Sequence, residues 1–224
     1  MKSIEILFTN GSVIAPKDII REIVDFPDSY KDATQAIIKS SEVLDKEGET
    51  FIKCASIILP SFGMTRGGPF YGDCNGKLRD CWEAIGTDLI EINCSVRDSG
   101  LSRDRYIVEL GDSKRDALIA KIWLMMKRLL PLTMTTTTFG LIGASKILFS
   151  VLPEIVLPVD TAQWKDVFQT VDLGDILHRM VSDIKKWEKI TGKKLNDLDP
   201  SKPKRLTTLP SVYNVMAMAA RPKD

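Results

Sequence analysis

The chain has one histidine and four cysteines in 224 residues. Cys54, Cys74, Cys81 and Cys94 form no C-x-x-C pair, and His178 lies far from them along the sequence. Structural zinc takes ligands in closely spaced pairs, so no metal site is expected, and nothing calls for a cofactor. Neither sign of charge is in excess. The 31 Lys and Arg stand against 30 Asp and Glu, a net +1 that gives no overall attraction to nucleic acid or to a membrane. Long apolar runs are missing too. The most apolar stretch, Ala117 to Leu130, is broken by Lys121, Lys127 and Arg128 and stops at Pro131. That falls short of the ~20 apolar residues of a membrane helix. The run Ile4 to Phe8 is too brief for a secretory core, so the expected location is cytoplasmic. The run Gly72 to Lys77 lacks the length, the trailing Ser or Thr and the preceding strand of a phosphate loop.

What is present is helical periodicity. The chain is 44% hydrophobic and 27% charged, enough to bury a core without staples. Pro16 opens a helix with Ile19, Ile20, Ile23 and Val24 on one side. A second helix is expected from Tyr30 to Leu44, and a third holds Phe51, Ile52, Ala55 and Ile58. Lys77 to Val96 reads as one long amphipathic helix carried through Gly86. In the next, opened by a capping box of Ser113 and Asp116, apolar residues fall almost all round, which predicts a central buried helix. Gly140 to Leu152, Thr161 to Gln169, Leu173 to Ile190 behind an Asp172 cap, and a last helix opened by Pro210 complete the pattern. Ile4 to Phe8 and Tyr106 to Leu110 are candidate strands, too short to build a sheet. The expectation is a mainly α fold, one helical domain over residues 1–224, with a subdivision conceivable only near the loop at 61–76. Trp82, Trp123, Met126, Leu148, Met180 and Trp187 are expected in the core, and the cysteines Cys54 and Cys81 as buried free thiols.

Two stretches stand out as candidate sites. Five glycines fall between Gly63 and Gly76, in a loop that also holds Arg66, Phe70 and Tyr71. The second runs from five threonines through Phe139-Gly140-Leu141-Ile142-Gly143-Ala144-Ser145-Lys146 to Leu157-Pro158-Val159-Asp160. Over residues 133–168 this resembles the helix-hairpin-helix DNA glycosylases. In that family a glycine hairpin opens a helix whose amides hold a DNA phosphate, and a short extended link then presents an aspartate, commonly after Pro-Val. The resemblance implies a DNA-binding, glycosylase-like protein acting on an extruded base, with Asp160 as its carboxylate. Gly140, Gly143, Lys146 and Arg66 would then contact DNA, and the Arg66, Phe70 and Tyr71 loop would probe the duplex. The family hairpin usually reads Leu-Pro-Gly-Val-Gly, whereas this chain has no proline there. The family's lyase lysine lies two residues beyond its last hairpin glycine, and Lys146 lies three beyond Gly143. Asp160 alone is therefore carried over as catalytic, and Lys146 is expected as a solvated charge or phosphate contact.

The residues by themselves leave a plainer alternative: a non-enzymatic helical scaffold, with Asp160 capping its own helix, that binds nucleic acid or protein. A pocket with Asp160 at its floor would favour the enzyme, and an Asp160 turned into its helix N-terminus the scaffold. Residues 185–224 hold ten Lys or Arg against four acids, without interleaved aromatics. Such an end could meet phosphates, though a solvated basic face is the commoner arrangement. DNA is the partner implied; no membrane partner is expected.

Overall fold

The Pro16–Asp25 segment, with Pro16 in its first turn, forms α1 of a computed structural model that describes residues 3–66, 69–134 and 140–222. Its last turn has no basic residue of its own. Lys31, only 4% exposed, donates instead to the carbonyls of Ile23 and Val24 at 3.3 and 3.1 Å. Lys31 belongs to α2 (Asp28–Ser40), which is followed by α3 (Glu49–Ile58) and α4 (Cys74–Asp98). Gly86 is tolerated inside α4 because the Trp82 indole lies over it, where a Cβ would come within 2.7 Å of the ring. The short α5 (Tyr106–Glu109) leads to α6 (Asp112–Thr133), α7 (Gly140–Val151), α8 (Leu173–Thr191) and α9 (Leu209–Ala219). The only strand pairing among the described residues is Phe8–Thr9 antiparallel to Ser12–Val13. The fold is mainly α, as the periodicity predicts.

α7 is the centre. Every residue from Gly140 to Val151 is buried, the polar Ser145, Lys146 and Ser150 included. α6 crosses one side of it at close range. A Cβ on Gly140 would come within 2.6 Å of the Leu130 carbonyl oxygen, and one on Gly143 within 2.8 Å of the Thr133 Cβ. Only glycine lets the two backbones approach this far. The buried residues continue without a break from α1 and α2 through α7 to α8 and α9, and Phe70 of the 61–76 loop is part of that core.

Several expectations need correction. α6 buries one face (Ile119, Ile122, Met125, Met126, Leu129) and leaves Leu124 55% exposed, so it is not the central helix. Trp123 and Trp82 are half-buried, because each lies at the edge of its helix's packed face; Met126, Leu148, Met180 and Trp187 are in the core. Val24 is exposed, since α1 buries only Ile19 and Ile23 fully, and the second helix ends at Ser40, short of Leu44. Ser113 and Asp116 make no capping box: α6 starts at Asp112 behind Gly111, with no side-chain cap. Tyr106 to Leu110 is a helical turn that buries Tyr106, Ile107 and Val108. Asp172 does cap α8, accepting from the amides of Gly174 and Asp175. Among the described residues no helix is long and apolar enough to cross a membrane.

Candidate functional site

Beyond α7 the chain turns over residues 153–155 and stays buried, without regular secondary structure, to Val159. One side chain holds this link against the helix. The Ser145 hydroxyl accepts the Val159 amide at 2.9 Å and lies 3.4 Å from the Val159 carbonyl oxygen. Ser145 precedes Lys146 and Val159 precedes Asp160, so this bond places the lysine and the aspartate at one site. Asp160 then opens a helical segment, 161–168, whose Gln163–Phe168 turns are π-wound. Such turns are rare and are found disproportionately at functional sites. Gln169, in the left-handed region at φ 56°, ends the segment.

Asp160 does both things that the sequence offers as alternatives. Its Oδ1 accepts the Gln163 amide at 2.8 Å, and the Gln163 Oε1 accepts the Asp160 amide at 2.9 Å, a reciprocal capping box. Its Oδ2 accepts from Arg221 Nη1 at 3.0 Å. The same residue also lines a concave cavity of about 310 Å³. Phe26, Tyr30 and Phe62 form the aromatic part of its wall, and Lys146, Gln163 and Asn214 add polar groups. Tyr30 meets Phe26 and Phe62 edge-on, at 5.0 and 5.5 Å between centroids. A hydrogen-bond chain braces the polar side: Gln163 Nε2 donates to Asn214 Oδ1, and Asn214 Nδ2 donates to the Tyr30 hydroxyl, each at 3.0 Å.

Lys146 is not a solvated charge. It is 5% exposed, with its Nζ 4.6 Å from the Phe62 ring centroid and 3.7 Å from the Met64 sulfur. Burial pulls its amine down to about 8, with the negative charge of Asp160 acting in the opposite direction. A lysine in these surroundings is a good amine nucleophile near neutral pH, because much of the desolvation that an ammonium resists has already occurred.

The other sequence candidates are spread around this centre. Gly140 and Gly143 are buried at the α6–α7 crossing, where their small size serves close packing. The threonine run and Phe139 that lead into the hairpin lie largely outside the described residues (135–139). Arg66 is exposed, in the loop whose Met64 touches Lys146. Phe70 cannot probe a duplex, being 1% exposed in the core, whereas Tyr71 is 66% exposed. The basic end is partly neutralised: Lys185, Lys204, Arg205 and Arg221 each pair with a carboxylate. His178 is on the surface as expected, and all four cysteines are free, with burial pushing Cys54 and Cys81 up to about 12. A wider groove of about 920 Å³ between the end of α4 and the start of α6 offers less chemistry. Lys121, in its lining, is already paired with Asp88 and Glu91.

Sequence reasoning missed Tyr30, Phe62, Gln163, Asn214 and Arg221. Only Gln163 had a local signal, since Asp160-x-x-Gln163 is a capping-box spacing. The others come from remote parts of the chain. A comparison with protein-family models, curated proteins and solved structures finds no match to this chain.

Proposed function

We propose that this chain is a DNA-binding, glycosylase-like enzyme that takes an extruded base or its sugar into the Lys146–Asp160 cavity and breaks the glycosidic bond. The observation that carries the reading is the buried amine of Lys146 beside the Asp160 carboxylate in one aromatic-walled cavity. Flat aromatic walls suit a nucleobase removed from its stack. The neutral Lys146 amine would attack C1′ of the sugar as the C1′–N bond breaks. The bonding pair leaves with the base; the carboxylate of Asp160 takes the proton the amine gives up and passes it to the base, and the sugar ring then opens as O4′ takes the remaining N–H proton, leaving an imine between Lys146 and C1′. Asp160 also offsets positive charge that develops on the sugar. Exposed Arg66 and Tyr71, on the loop that reaches Lys146 through Met64, are the side chains this reading places against the duplex.

Asp160→Asn keeps an oxygen for the Gln163 amide, so it should preserve the fold and most of the duplex affinity while lowering base release by ~10²-fold or more. Base release from duplexes carrying a panel of damaged bases, with a gel-shift titration alongside, checks both halves. A wild-type protein that binds these duplexes but frees no base from any of them contradicts the reading and favours a helical scaffold.

A further inference from the structure

The Asp160 carboxylate meets two basic side chains in different ways. Lys146 shares its cavity without making an ion pair to it, the lysine Nζ resting instead on Phe62 and Met64. The ion pair that Asp160 does make is with Arg221, at 3.0 Å. Arg221 follows the end of α9, and its Nε donates to the Met218 carbonyl at 3.1 Å, which fixes the base of the guanidinium. Met218 in turn lines the cavity that holds Lys146 and Asp160. Asp160 thus gives Oδ1 to the Gln163 amide and Oδ2 to Arg221, and shares its cavity with Lys146.

An amine nucleophile next to a carboxylate faces a conflict. The closer and less shared the negative charge, the more firmly the amine holds its proton, and an ammonium cannot attack. A second cation on the carboxylate resolves it. We infer that Arg221 is a positioning residue of this site: its guanidinium anchors the Asp160 carboxylate from outside the cavity and balances its charge, so that Lys146 gives up its proton more readily than half of an ion pair would. The groups facing Lys146 are Asp160 from the link, Tyr30 from α2, and Phe62 and Met64 from the turn after α3. Of these Asp160 is the one carboxylate, and Arg221 is the cation bonded to it. The catalytic use of this balance rests on the function proposed above; the balance itself does not.

The test therefore reads the amine directly. Full-length protein labelled at the lysine ε-carbons is titrated by NMR from about pH 6 to pH 11, a range that spans the ordinary lysine value. The Lys146 resonance is assigned by its loss in Lys146→Met. Arg221→Gln should raise the Lys146 midpoint by about one pH unit, since it removes a nearby positive charge and leaves Asp160 unshared. Arg221→Lys, which keeps the charge, should restore a midpoint close to wild type. An unchanged midpoint in Arg221→Gln overturns the inference, as does a rise that Arg221→Lys does not reverse. If Arg221→Gln fails to fold, Arg221→Lys and Asp160→Asn decide. The first should leave the midpoint in place and the second should lower it, and any other pair of results overturns the inference. Base release is assayed on the same proteins. A shifted midpoint without base release keeps the charge balance and removes the glycosylase reading, whereas base release with no shift does the reverse.

Discussion

α6 and α7 are neighbours, and the structure treats them differently: α6 spreads charged residues such as Lys121, Lys127 and Arg128 among its apolar ones, whereas α7 carries the single charge of Lys146. α6 has apolar residues almost all round, yet it leaves Leu124 and part of Trp123 outside, with Lys127 over the Trp123 ring at 6.0 Å. α7 contains a lysine and two serines and is buried at every position. A helix becomes central when other elements cover all its sides, and α7 is covered by α6, α3, α2 and the link that follows it. Being apolar is not sufficient, and being partly polar does not prevent burial when each polar group has a task. Ser150 donates to the Ile147 carbonyl at 2.7 Å, and Ser145 holds the link. Lys146 rests on Phe62 and Met64 and opens onto the cavity.

The largest expected effect lies on the covered helix. Leu148→Ala, in α7 and fully buried, should cost about 2–5 kcal/mol, read as a fall in the urea midpoint at unchanged slope. A smaller effect comes from the polar residue on the same helix. An amine held at about 8 when folded and near its ordinary 10.5 when unfolded binds fewer protons in the native state between those values. Stability therefore rises with pH across that window and is lowest below it. Lys146→Met should be more stable than wild type by ~2–3 kcal/mol at pH 7. That gain should shrink as pH climbs from about 8 toward 10.5, as urea titrations at several pH values would show. The smallest effects belong to the open face of α6. Trp123→Ala should cost only about 1–2 kcal/mol and Leu124→Ala less than about 0.5. A loss of core size at Trp123 would mean that α6 is covered in solution and would remove the contrast between the two helices.

Much of the fold was legible because helical spacing, prolines and caps act locally. Pro16, Pro210 and Asp172 start their helices where the sequence places them, and Gly192 ends α8 in the left-handed region at φ 65°. Which face of a helix is covered is set by partners far away in sequence, and there the reading failed for Trp82 and Trp123. The site divides in the same way. The capping role of Asp160 was legible from the helix expected to follow it. Lys146 was misjudged because a lone lysine after a glycine turn usually reaches solvent. Its burial depends on Phe62 and Met64, more than eighty residues earlier. Nothing near Arg221 in the sequence points to Asp160, sixty-one residues before it.

The central claim is that the buried Lys146 amine attacks a sugar carbon, and reductive trapping tests it most directly. Duplexes carrying damaged or abasic nucleotides are incubated with the protein and borohydride, and the covalent protein–DNA adduct is measured on a denaturing gel. The account predicts an adduct with wild type that disappears in Lys146→Gln and is strongly reduced in Asp160→Asn. No adduct on any substrate, or one that persists in Lys146→Gln, would contradict it.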